Sequence, residues 1–182
     1  MKNKIIIGLG IVVVITLSVI FYIGWTGESK SPKGTAELTA GELNISMTYS
    51  RPSVRSRVVF GTEAQKALQP FGKYWRFGAN EATEITFSKD VTFNGEAVQG
   101  GTYRIYAVPG AEYFEIGLNT ELGKWGYDEP DYTKDILKTK VKVQKPQSSV
   151  EQYTISMKEA DGGINIYFEW ADVQLVIPVV AQ

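Results

Sequence analysis

An all-β fold, an antiparallel β-sandwich of jelly-roll or Greek-key type preceded by one N-terminal transmembrane helix, follows from three features of the sequence. From Leu43 onward, apolar and polar residues alternate with a period of two, as on half-buried strands. Gly, Pro, Asn and Asp punctuate the chain at intervals of roughly 8–12 residues, the spacing of short strands joined by turns. Before them, residues 5–25 run without a single charge, from Ile5 to Trp25.

The elements follow in order. Residues 1–4 form a short basic head carrying Lys2 and Lys4. The 21 residues 5–25 would span roughly 30 Å as a helix, the thickness of a bilayer core. Phe21, Tyr22 and Trp25 gather at one end, where aromatic rings favour the headgroup layer. A cleaved signal peptide is the rival reading, but its apolar part is usually shorter and ends in small residues. The expectation is therefore an uncleaved single-pass anchor that meets membrane lipid. The basic head places the N-terminus inside and the following domain outside the cytoplasm. Residues 26–34 (TGESKSPKG) read as a polar linker, and residues 35–182 as one β domain.

Within that domain, Leu43, Ile45, Met47 and Tyr49 alternate with polar neighbours, and 58–60 is a shorter apolar run. Ile85 and Phe87 mark another strand. Val91 and Phe93 lead into Asn94-Gly95, a two-residue hairpin signal. Strands follow over 102–108 and 113–118, separated by Pro109-Gly110. Lys138, Lys140 and Lys142 alternate with Thr139, Val141 and Val143, the pattern of a solvated strand face, and lysine also discourages edge pairing. Tyr153, Ile155 and Met157, then Ile164 to Trp170, then 173–180 complete the series. Pro178 suggests an edge or a bulge in the last strand. Only 63–68 looks helical.

Composition narrows the chemistry. Cysteine and histidine are both absent, so thiolate nucleophiles, disulfides, imidazole bases and Cys/His metal ligands are excluded. No metal and no cofactor is expected. Without the head and apolar run, 17 basic residues face 20 acidic ones, which does not make a nucleic-acid-binding surface.

Two segments depart from strand-and-turn sequence. Residues 50–57 (SRPSVRSR) hold Arg51, Arg55 and Arg57; residues 70–83 (PFGKYWRFGANEAT) hold Trp75, Arg76, Asn80 and Glu81. Arginine is a planar, permanently charged donor suited to carboxylate or phosphate. Glu81 stands as the internal counter-ion of these arginines. Trp75, and Trp125 on a Gly-rich loop, could wall a pocket. The same side chains could instead form a network clamping loops onto the sheet without any ligand.

These segments, written SRPSVRSRVVFG, PFGKYWRFGANEATEITFSKDV, GGTYRIYAVPG and NTELGKWGYDEP, resemble the hallmarks of an exported bacterial domain of unknown function, DUF2911. The resemblance covers residues 35–180. Ser56, Phe77, Gly101 and extra residues between Gly61 and Gln69 depart from its pattern, but no Arg, Trp, Asn or Glu of the hallmarks does. The resemblance implies an envelope location and brings no activity. A non-enzymatic binding or scaffold module is expected, with Arg51, Arg55, Trp75, Arg76, Asn80, Glu81 and Trp125 as candidate contacts. Its partner would be an anionic small molecule, a glycan or an envelope protein. The alternative is a carboxylate-dependent hydrolase of envelope glycans, which needs two converging carboxyl groups.

Overall fold

The computed structural model describes residues 16–18, 31–160 and 162–182. Apart from the helical residues 16–18, the expected anchor lies outside the described residues, and among those no helix is long and apolar enough to cross a membrane. The chain divides into two units, Met1–Lys30 and Ser31–Gln182. The second is all-β.

Its strands are β1 Lys33–Ala40, β2 Leu43–Ser50, β3 Phe60–Gly61, β4 Gln69–Pro70, β5 Thr83–Phe87, β6 Val91–Phe93, β7 Glu96–Val98, β8 Gly101–Val108, β9 Tyr113–Asn119, β10 Asp135–Lys142, β11 Val150–Ala160, β12 Gly163–Ala171 and β13 Val173–Ala181. Six make one antiparallel sheet in the order β1-β2-β5-β8-β9-β10. Five make a second in the order β11-β12-β13-β6-β7. The two-residue strands β3 and β4 pair in parallel.

One core lies between the two large sheets, because each strand turns alternate side chains inward. Ile45 and Met47 of β2, Ile105 of β8 and Ile116 of β9 meet Ile166 and Phe168 of β12 and Ile177 of β13 in a single buried cluster. Its centre is aromatic. The Trp75 and Trp170 rings stack 5.9 Å apart, and Phe60 stands edge-on to Trp75, Phe114 and Trp170 at 5.2, 5.0 and 5.7 Å. These are the offset and T-shaped arrangements that the ring quadrupole favours.

The Asn94-Gly95 turn forms as expected. Its φ values of 52° and 88° match a turn whose twist suits the β6–β7 hairpin. The expected helix shrinks to a single 3₁₀ turn, Glu63–Gln65. Thr62 and Gln65 cap its start reciprocally, and Lys66 ends it in the left-handed region. A strand not foreseen, β1, takes up Lys33 and Gly34 from the expected linker and alternates at low contrast along KGTAELTA.

Lys138, Lys140 and Lys142 lie exposed on β10, the last strand of its sheet. Pro178 occupies neither an edge strand nor a bulge. It sits inside β13, one residue beyond the last β6 pairing, Val179 with Phe93. Its carbonyl accepts from the Asn94 N–H at 2.9 Å. In an extended chain the N and C=O of one residue face the same neighbour, so the missing N–H costs no bond to β12.

Candidate functional site

The arginines of the two irregular segments part company in the structure. Residues 50–57 turn toward the five-stranded sheet. Arg51 donates through Nε to the Tyr153 carbonyl at 3.2 Å and through Nη2 to Thr154 Oγ1 at 3.1 Å, clamping the end of β2 to β11. Exposed Arg55, at φ 49°, donates its backbone N–H to Glu151 Oε1 at 3.0 Å. Arg57 is spent on the carbonyls of Val54 and Ser53, at 2.9 and 2.6 Å.

Residues 70–83 run along the six-stranded sheet. Trp75 pairs with Ala107 of β8 through two backbone bonds, so this stretch is extended and neighbouring side chains point opposite ways. Trp75 therefore enters the core, 3% exposed, and its Nε1 donates to the Gly78 carbonyl at 3.2 Å. Arg76, next along, faces out. Its Nη1 reaches the Asn80 carbonyl at 3.3 Å, and its guanidinium lies 5.7 Å from the centre of the Tyr127 ring.

Asn80 adopts φ 57° and donates through Nδ2 to the Ser31 carbonyl at 3.1 Å and to Ser50 Oγ at 3.5 Å. Glu81 does not balance the arginines, as the sequence suggested. Its partner is Lys33, at 2.9 Å, brought alongside by the unforeseen β1. The hydrogen bond from Lys33, with help from a backbone N–H, holds the Glu81 carboxyl below the usual glutamate range. Lys33, Thr48, Ser50 and Glu81 border a cleft of about 250 Å³.

A loop over residues 120–134 packs against this stretch. Glu81 and Trp125 form a backbone bridge, Ala82 donates to the Lys124 carbonyl at 3.1 Å, and the Gly126 N–H donates to the Asn80 carbonyl at 3.0 Å. Tyr74 Oη donates to the Gly126 carbonyl at 2.9 Å. A Cβ on Gly126 would lie 2.8 Å from Arg76 Cδ and 2.9 Å from the Asn80 carbonyl oxygen, so only glycine permits this approach. Held this way, Trp125 and Tyr127 still show 54% and 74% of their surfaces to solvent. Arg76, Asn80, Glu81 and Trp125 thus come together with Tyr127. Arg51 and Arg55 belong to the separate clamp, and Trp75 to the core.

Beneath the loop lies a polar cluster that sequence reasoning missed. Arg104 and Tyr106 of β8 point away from the core, yet both are about 1% exposed. Arg104 Nη2 donates to Tyr74 Oη and to the Asp128 carbonyl, its guanidinium lies 5.6 Å from the centre of the Tyr74 ring, and its Nε has no partner. Glu84, beside it on β5, accepts instead from the Gly123 N–H at 2.8 Å. No described carboxylate pairs with Arg76 or Arg104. Tyr106 Oη donates to Asp135 Oδ2 at 2.6 Å, and Asn119 Nδ2 to Asp135 Oδ1 at 2.7 Å.

Burial raises the Tyr74 hydroxyl. Burial, then the Asp135 carboxylate, raises Tyr106 far above an ordinary tyrosine; burial, then Glu129, does the same to Tyr132. The available signal was an arginine on the outer face of a strand between Thr102 and Tyr106, where a solvated sheet would carry smaller polar residues.

Acids in the loop are engaged by their surroundings. Glu121 is lowered by the Asp131 backbone N–H and by Lys134, and Asp131 is lowered by the Thr133 hydroxyl and backbone N–H. Among the described residues no group of acids could hold a metal ion.

No curated protein and no solved structure matches the chain. Residues 31–179 match a protein family described as "Protein of unknown function (DUF2911)". That match spans the clamp, the aromatic loop and the cluster beneath it, and the chain belongs to the DUF2911 family.

Proposed function

We propose that this protein is a membrane-anchored, extracytoplasmic β-sandwich of jelly-roll or Greek-key type that serves the bacterial envelope as a non-enzymatic binding module. Its ligand is an anionic glycan or a smaller anion of the same chemistry. One observation carries this reading. Two exposed aromatic rings, Trp125 and Tyr127, are fixed by backbone bonds beside Arg76, a guanidinium with no carboxylate partner among the described residues. Flat rings offer a face to a sugar, and a guanidinium offers a two-pronged grip on an acid group. Because the loop is already held, little ordering cost remains when a ligand docks. Asn80 and Glu81 stand at the rim as hydrogen-bonding groups.

The hydrolase alternative would need a carboxyl kept protonated by burial. Glu81, Glu121 and Asp131, the shifted acids near the aromatic loop, all move the other way, which favours binding over hydrolysis.

Calorimetric titration of the full chain with a glucuronate-containing oligosaccharide and a neutral analogue tests the reading. Trp125→Ala and Arg76→Gln should each weaken binding of the acidic sugar at least tenfold, while Arg51→Gln, in the clamp, should leave it unchanged. Absence of binding, or full affinity in Trp125→Ala, would overturn it. The anchor and orientation are tested by protease added to cells stripped of any outer membrane, which should digest the domain; protection would refute the topology.

A further inference from the structure

The outer face of the five-stranded sheet carries a second cavity, unrelated to the aromatic loop. Gln144 and Gln174 exchange backbone hydrogen bonds of 2.8 Å each, pinning the chain beside β13 just after β10 ends. Residues 145–149, with Pro146 limiting their freedom, then stand over the sheet before β11 begins at Val150. Between that loop and the outward side chains of β11, β12 and β13 lies a space of about 490 Å³, within the range of small-molecule sites.

The lining gives its chemistry. Lys145 enters from the loop and Lys158 from β11, and neither forms an ion pair with a described residue. Lys158 Nζ rests 5.1 Å from the centre of the Tyr167 ring, which steadies it at the cavity wall. The single carboxylate among the described lining residues, Glu169, accepts a hydrogen bond from Gln174 Nε2 at 2.7 Å and neutralises neither lysine. Two cations therefore face one acid in a chain whose net charge is −1. Gln147, Ser148 and Ser156 add neutral donors and acceptors suited to hydroxyl groups.

We propose that this cavity binds a carboxylated sugar, its acid group between Lys145 and Lys158 and its hydroxyls on the serine and glutamine side chains. This inference stands apart from the aromatic-loop site and would survive the failure of that reading.

Heteronuclear NMR titration of the solubilised full chain tests it, with glucuronate as probe, acetate supplying charge without hydroxyls and glucose supplying hydroxyls without charge. Glucuronate should shift the amide signals of Ser148, Lys158 and Tyr167 saturably, with at least tenfold tighter binding than either control. The double variant Lys145→Gln/Lys158→Gln, which alters two exposed side chains, should lose at least tenfold in affinity while its other signals stay in place. No saturable shift at those residues, equal affinity for acetate, or full affinity in the double variant would overturn the proposal.

Discussion

Arg104 takes a permanent charge into a site about 1% exposed, where carbonyl, hydroxyl and aromatic ring stand in for a carboxylate. Burying a charge is costly unless it is hydrogen-bonded, so Tyr74 and the Asp128 carbonyl are structural necessities of the loop's closed position. Tyr106, its neighbour on the same face, lies over Gly117 of β9, where an added Cβ would sit 2.2 Å from a Tyr106 ring carbon. Gly117→Ala should therefore destabilise the domain by about 3 kcal/mol through overpacking. In a Tyr106→Ala background the same change should cost much less, a non-additivity readable by urea denaturation. Residue identity was legible in the sequence, but side-chain direction was legible only in part. In the Trp75-Arg76 pair, extended backbone sends one side chain inward and the other outward, so two residues read as one site separate by geometry.

At the level of elements, turn chemistry was the most legible feature. Asn94-Gly95 dictated its hairpin because few other residues accept positive φ at both positions. By contrast β1 escaped notice, since Ala36, Leu38 and Ala40 alternate weakly and Lys33 resembles linker. Missing β1 also hid the partner of Glu81. The loop over 120–134 was readable as a loop but not as a cover, because the sequence does not show which face of β8 it crosses. β10 ends its sheet, with Lys140 and Lys142 exposed along it. Charged side chains on a terminal strand oppose pairing with another molecule. Lys140→Val/Lys142→Val should fold normally yet self-associate, visible as a concentration-dependent mass by light scattering.

Across the whole molecule, period-two patterning foretold an all-β domain of antiparallel sheets, and the core between them follows from it. The sheet order was beyond reach, because alternation identifies inward faces but not neighbours. The tyrosines give the molecule a directional response to pH. Tyr74, Tyr106, Tyr132 and Tyr153 all hold their protons more tightly folded than unfolded, where tyrosine ionises near about 10. Their contribution is fully present below that pH and is lost as pH rises through the folded values. Denaturation midpoints should hold steady from about pH 7 to 9 and fall steeply above about 10, and Tyr106→Phe should flatten part of that fall.

β8 differs from β5 in having no wet side at its centre: every residue from Tyr103 to Ala107 is buried, the core closing one face and the loop the other. Deuterium should reach its amides, and those of β9 beside it, last of all. β11, the longest strand at 11 residues, should exchange sooner, so that endurance in this protein is set by enclosure rather than by length.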